Sequence, residues 1–367
     1  MPSFGADRAS RPPTVLRMLR ACDARIGHRA VRLLATLLAG VVLLAAGAAT
    51  AAGKAQAMTE GLVHLTVAVA PVPIALAAHA APPAAHPTHR PRPPKPVRGK
   101  RVGPPVARWL PSGTGMWLHD YTKAEGGNAR AVIARSKAAG LTTLYVQTGS
   151  SKKGFIGDQV LGKLLTESRG TAIRVVAWDF PTLADPVKDA KRLAAAAAYR
   201  CTGCPRVAAV APDVETAAEG TRIGGAAVSL YYRTLRQHLP ADVAILATVP
   251  WPSEKRVGTY PYAQTAALAD GLMPMAYWYN RSPAGVTATS MAYLKRFHRP
   301  IMPIGQGYDG RIDAPYLPVD PHPGVGVEQF LDQAHRAGAR AVSLWSWDTA
   351  GGQQWTVLSR GRGLFRR

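Results

Sequence analysis

The chain from residue 109 onward predicts an α/β fold, a closed (β/α)8 TIM barrel. Two observations predict it. Eight short apolar stretches alternate with helical segments at intervals of about 25–35 residues, the pattern of βα units on a parallel sheet. The span is about 260 residues, the size of a barrel closed by eight such units. A doubly wound open sheet lacks support, because no Gly-rich phosphate loop follows the first stretch. With 47% apolar and 18% charged residues, the chain has enough apolar side chains for a substantial core.

Three segments precede the barrel. Residues 1–32 are basic (Arg8, Arg11, Arg17, Arg20, Arg25, Arg29 and Arg32) and are expected to stay cytoplasmic. Residues 33–57 open with an uncharged run from Leu33 to about Ala52. At about 20 residues, roughly 30 Å as a helix, that run is long enough to span a bilayer. Ala55-Gln56-Ala57 offers a cleavage site, so a signal peptide and a transmembrane anchor both fit, and either would export the remainder of the chain. Residues 58–108 are expected to be a linker: apolar to residue 80 but interrupted by Pro71 and Pro73, then Pro-rich and basic, hence stiff and unable to bury a core. The expectation is a hydrophobic helix, a disordered Pro-rich linker and a barrel at 109–367, secreted or membrane-anchored outside the cytoplasm.

The formal charge is +23, and residues 1–108 hold fifteen Lys/Arg against three Asp/Glu. That charge suits membrane insertion and an anionic cell envelope. Nucleic acid is not expected as a partner: paired zinc ligands, an RNP-type aromatic sequence and a basic helix with heptads are all missing from the sequence. Of three cysteines, Cys22 precedes the apolar run, while Cys201 and Cys204 form Cys-Thr-Gly-Cys-Pro. A zinc site needs about four ligands, and no second pair has matching spacing. The motif follows an alanine-rich helix and precedes a strand, so a structural disulfide is expected. No metal or other cofactor is expected.

The strands read as Gly115–His119, Thr143–Gln147, Ile173–Trp178, Val207–Ala211, Val243–Thr248, Gly271–Ala276, Ile301–Ile304 and Ala341–Trp345. Helical segments between them include Asn128–Ala139, Pro186–Tyr199, Ile223–His238, Thr287–His298 and Val327–Ala337. In this architecture sites are built where strands end. The ends carry His119-Asp120, Trp178-Asp179, Asp213-Val214-Glu215, Pro250-Trp251, Tyr277-Trp278-Tyr279, Tyr308-Asp309 and Trp345-Ser346-Trp347-Asp348. Six of the eight tryptophans fall at or next to these ends.

Aromatic rings beside carboxylates suit a sugar: the C–H face of a pyranose packs on a ring, and its hydroxyls need polar partners. Asp213 and Glu215 are two apart, so both point to one face, while Val214 faces the helices. Two neighbouring carboxylates repel when ionised, which keeps one protonated as an acid for a glycosidic leaving oxygen. Glu215 is the expected proton donor and Asp213 its partner. Candidate substrate contacts are Trp117, Trp178, Asp179, Trp251, Trp278, Asp309, Trp345, Trp347 and Asp348, with Asp179, Asp309 and Asp348 equally able to cap the next helices. His119 reads as a packed histidine. Lys123, Arg281 and Arg311 read as loop cations that an anionic glycan would attract.

These residues resemble two families. Val210-Ala211-Pro212-Asp213-Val214-Glu215 is similar to the fourth-strand Asp-x-Glu of family 25 lysozymes (muramidases), which implies Glu215 as general acid and Asp120, at the end of strand 1, as a further catalytic carboxylate. Met273-Pro274-Met275-Ala276-Tyr277 is similar to the sixth-strand Met-x-Tyr of family 18 chitinases, which implies that Tyr277 assists an acetamido group and that Trp345 or Trp347 floors the sugar site. The longer acidic motif of family 18 is reduced here to its final Asp-x-Glu, and the Gly-x-Asp-x-Ser opening of family 25 is replaced by Gly115-Met116-Trp117-Leu118-His119-Asp120. The resemblance is that of a distant relative of both. It implies an exported glycoside hydrolase acting on an extracellular or cell-wall polysaccharide, with peptidoglycan or another N-acetylated glycan as the candidate substrate. The other reading is a barrel that binds such a glycan without cleaving it.

Overall fold

A computed structural model describes residues 107–365. The segments read as a basic region (1–32), signal or anchor (33–57) and most of the linker (58–108) lie outside the described residues. Among the described residues no helix is long and apolar enough to cross a membrane.

Eight parallel strands close into a barrel: β1 Gly113–Leu118, β2 Thr143–Ser150, β3 Arg174–Phe180, β4 Ala209–Pro212, β5 Ala244–Pro250, β6 Gly271–Ala276, β7 Ile304–Gln306 and β8 Ala341–Trp345. Each pairs with the next, and β1 pairs with both β2 (Trp117 beside Tyr145) and β8 (Gly115 beside Ser343), so the sheet has no free edge. That closure excludes the open doubly wound sheet. A two-residue strand, Gly154–Phe155, folds back antiparallel on the end of β2.

Helices follow the strands: α1 Ala129–Ala138, α2 Gly157–Ser168, α3 Pro186–Ala198, α4 Gly225–His238, α5 Tyr262–Leu268, α6 Pro283–Leu294, α7 Pro323–Arg336 and α8 Gly352–Arg360. Local chemistry starts several of them. Asn128 accepts from the Ala131 amide ahead of α1, and Asp185 from the Lys188 amide ahead of α3, where Pro186 takes the first turn. Ser282 with Pro283 does the same for α6, which therefore begins four residues before the expected Thr287. Strand β7 begins later than expected: Ile301 makes only an isolated bridge to Leu272, and Pro303, with no N–H to donate, breaks the ladder before Ile304.

Alternation along the strands builds two apolar layers. Met116, Leu118, Leu144, Val146, Val175, Val210, Ile245, Val249 and Leu344 face the helices. Trp117, Tyr145, Val176, Trp178, Ala209, Ala211, Ala244, Leu246, Met273, Met275, Met302, Ile304 and Ala341 fill the barrel. The filling is lopsided in size: the alanines of β4 and β5 leave room that the rings of β1, β2 and β3 occupy. Trp117 stacks on Tyr145 at 4.5 Å between centroids, and its indole N–H donates to Ser343 Oγ at 2.9 Å. Arg108, the last residue of the expected linker, donates to Ala241 O and pairs with Asp270 at 3.0 Å, so the chain is tied to the barrel before β1 begins.

Candidate active site

A cavity of about 370 Å³ opens at the carboxyl ends of the strands. Asp213 and Glu215 enter it from the end of β4, Trp251 from β5, Tyr277 and Tyr279 from β6, Tyr308 from β7 and Trp345 from β8, with Trp117 below. The period-two reading of the triplet therefore describes the geometry: Asp213 and Glu215 share the cavity, and Val214 is buried in the helix-facing layer with its carbonyl accepting from the Tyr260 hydroxyl at 2.8 Å. Backbone pairing fixes Asp213, whose N–H donates to Asp179 O at 2.9 Å and which bridges to Thr248 on β5.

Asp213 is 5% exposed, and its Oδ1 accepts no hydrogen bond from any described group. Burial pushes its carboxyl up to about 7, and the charges of Asp179 and Glu219 push the same way. Burial also pushes Glu215 well above the ordinary carboxylate range, helped by Asp213 and Glu219 and opposed by Arg256. Two carboxyls so placed can carry a proton at neutral pH. The Tyr277 hydroxyl, raised by burial and by both carboxylates, stays protonated as a donor toward the cavity.

Aromatic side chains line one side of this cavity. Trp345 lies 5.7 Å from Trp117 and 5.3 Å, edge-on, from Trp178. Trp178 itself is 1% exposed, donates its N–H to Leu118 O, and supports the rings above without lining the cavity. His119 packs against Trp345 at 5.5 Å and Trp178 at 6.2 Å, behind the same wall.

Several expected site residues are elsewhere. Asp120 lies in a separate depression over the β1 and β2 ends, bonded to the amide and hydroxyl of Thr122, which hold its carboxyl below the usual range. Asp179 faces outward to α3, where Arg192 grips both its oxygens at 2.7 Å. Trp278 points to the outer layer against Phe330, at 5.9 Å, because it alternates with Tyr277. Trp347 is buried against Trp355 at 4.7 Å on the helix side. Asp309 caps the turn Gly310–Ile312 and pairs with Arg311 at 2.5 Å, and Asp348 accepts from Ser346 Oγ at 2.8 Å; neither lines the cavity.

The cavity also contains residues that strand-end reading did not assign to it: Glu219, Arg256, Tyr279, Tyr308 and Asp313. Tyr279 has a sequence signal, the same parity as Tyr277. Its backbone sits at φ 51°, a left-handed conformation costing roughly 1–3 kcal/mol, held by a 2.7 Å bond from its N–H to Gln306 Oε1. Its hydroxyl meets Asp313 Oδ2 at 3.3 Å. Glu219 and Arg256 come from the short helical turns Ala217–Glu219 and Glu254–Val257, and Asp313 from the end of the turn Gly310–Ile312, all off the strand period. Cys201 and Cys204 lie away from the cavity, their Cα atoms 5.5 Å apart and their sulfurs in bonding contact. Among the described residues, no group of three His, Cys, Asp or Glu side chains could hold a metal ion.

No protein-family model matches this chain, and no curated protein matches it. Solved structures do. The C-terminal domain of a protein assigned as a chitinase, from Desulfitobacterium hafniense DCB-2, superposes with a TM-score of 0.51 at 10% identity, covering 70% of this chain and 99% of that one. An endo-1,4-beta-mannanase from Rhizomucor miehei superposes with a TM-score of 0.51 at 8% identity, covering 69% and 94%. The likeness is one of fold: residues 107–365 form a (β/α)8 barrel.

Proposed function

We propose that this barrel hydrolyses a glycosidic bond of a polysaccharide, with Glu215 as general acid and base. The observation that carries the reading is the pair Asp213 and Glu215 in one strand-end cavity, both carboxyls raised first by burial and then by neighbouring carboxylates. A carboxyl that keeps its proton near neutral pH can give it to the departing glycosidic oxygen, then act as base toward water. Asp213, deeper in the barrel, orients Glu215 and tunes its proton. Tyr277, from the end of β6 two strands along, can donate to an N-acetyl carbonyl, as the resemblance to family 18 implies. Trp345 offers an aromatic face for the sugar ring, above the buried Trp117.

The chitinase and mannanase names of the similar folds support a polysaccharide as substrate class, and the Tyr277 donor favours an N-acetylated one such as chitin or peptidoglycan. Within this reading the basic, apolar and Pro-rich segments before residue 109 export the barrel to where such polymers lie. The test is release of reducing ends from chitin, β-mannan and peptidoglycan by the protein and by Glu215→Gln. Hydrolysis by the first and not the second supports the proposal. Binding of a glycan without any released ends leaves the non-catalytic reading standing.

A further inference from the structure

A second depression, about 1230 Å³, runs on from the central cavity over the loops after β4, β5 and β6. The two share Glu219, Trp251, Arg256 and Tyr279, so a chain leaving the cavity on this side passes over Trp251. The side over β1 and β2 is different: its depression shares no residue with the cavity, and the Trp345–His119 contact stands between them.

The shared groove differs from the cavity in charge. The cavity has four carboxyl groups, Asp213 and Glu215, which burial keeps largely protonated, with Glu219 and Asp313, against one guanidinium, Arg256, and suits a neutral sugar. The groove has Lys255, Arg256 and Arg281 against Glu219 and Glu254. Glu219 is already engaged with the amide and hydroxyl of Thr216. Of the three loop cations legible in the sequence, Lys123 pairs with Asp120 at 3.9 Å and Arg311 with Asp309, both outside the groove. Arg281 lies inside it, its guanidinium 5.6 Å from the centre of the Trp251 ring. Among the described residues, neither Arg281, Arg256 nor Lys255 makes an ion pair. Guanidinium forks beside an aromatic face match a planar carboxylate or a phosphate on a sugar ring.

We propose that this groove is a subsite for an anionic sugar, a uronate or phosphate-bearing unit, held by Arg256, Arg281 and Lys255 beside a neutral sugar in the central cavity. The inference rests on the reading of the cavity as a glycan site. It makes the substrate an acidic heteropolysaccharide in which neutral and charged units adjoin.

The experiment is affinity electrophoresis of the full chain in gels containing polygalacturonate, phosphomannan or neutral dextran. It compares the wild type with an Arg256→Gln/Arg281→Gln variant and with Lys123→Gln/Arg311→Gln, which removes equal charge elsewhere. The groove variant is expected to bind one of the acidic polymers about tenfold or more weakly than the wild type, with the control variant within about twofold. Binding to polygalacturonate marks a uronate, and binding to phosphomannan a phosphate. Equal losses in both variants would overturn the subsite in favour of general attraction to a basic protein, and so would failure of both acidic polymers to bind or dextran binding as well as they do. Because binding is read without turnover, retention of an acidic polymer supports the subsite whether or not that polymer is cleaved, and the hydrolase reading stands or falls separately on the release of reducing ends. Hydrolysis of a neutral polymer with no acidic binding removes the subsite alone.

Discussion

Arg192 on α3 grips both carboxylate oxygens of Asp179 at the end of β3, each at 2.7 Å, with side chains 8% and 1% exposed. The same guanidinium reaches Asp189 at 2.7 Å, and Asp189 in turn accepts from Ser151 Oγ and the Leu183 amide. The cluster ties the loops after β2 and β3 to α3 directly behind Asp213, whose N–H donates to the Asp179 carbonyl. It is a structural joint beneath the cavity.

Removing Asp179 leaves the buried Arg192 guanidinium with Asp189 as its one remaining carboxylate, so Asp179→Ala is expected to destabilise the fold by about 3 kcal/mol. A triple replacement, Asp179→Leu and Arg192→Met with Asp189→Asn, should recover much of that, because no uncompensated ion is left in the cluster. Urea unfolding at neutral pH measures both. A shift for Asp179→Ala below about 1 kcal/mol would show that the joint is not structural.

Asp213 predicts a pH dependence of stability with a definite sign. Its folded carboxyl is raised to about 7, whereas the unfolded one titrates at about 4. Between those values the native state holds the proton and the unfolded state has lost it, so fewer protons are bound on unfolding and stability falls as pH rises through this window. Above about pH 7 the full penalty is present. Asp213→Asn should flatten the slope and leave the variant more stable than the wild type at pH 8. Unfolding midpoints from pH 4.5 to 8 give the comparison; a variant as steep as the wild type assigns the slope to other groups.

Glu215→Gln and Tyr277→Phe separate chemistry from fold. Tyr277 packs against the barrel layer, but Phe keeps its ring and Gln keeps the shape of Glu215, so thermal unfolding should move little for either. Glu215→Gln is expected to lower kcat by about 10²–10⁴-fold, the usual share of a positioned acid. Tyr277→Phe removes one hydroxyl from the cavity wall and should lower kcat about tenfold or more on an N-acetylated polymer, with a smaller effect on β-mannan, which has no acetamido group to assist. Equal losses on both polymers would remove the acetamido role.

Much of this architecture was legible in the sequence because barrels are built on repetition. Eight apolar runs at regular spacing marked the strands, and Asp213-Val214-Glu215 kept a two-residue period to the strand end, so its facing could be read. Legibility ended where the period did. Tyr277, Trp278 and Tyr279 continue to alternate past β6, which sends Trp278 to Phe330 and its two neighbours to the cavity. Reading all strand-end tryptophans as one surface ignored that phase. Asp120 left the cavity because a local bond to Thr122 outcompeted any longer reach. Arg256 and Asp313 come from short turns between strand and helix, too brief to leave a periodic pattern in the sequence.

The two tryptophans near the strand ends make that phase difference measurable. Trp278 is 5% exposed in the outer layer, so Trp278→Ala opens a hole there and should cost about 3–5 kcal/mol of stability. Trp251 is partly buried and lines both the cavity and the groove. Trp251→Ala should cost less stability and weaken glycan retention about tenfold, or ~1.4 kcal/mol, in gels containing glycol chitin or β-mannan. Binding is compared below the unfolding transition of Trp278→Ala, where that variant should still bind like the wild type. If Trp278→Ala loses binding while folded and Trp251→Ala does not, the ring that meets the sugar lies on the other side of the strand, and the cavity is not where the glycan sits.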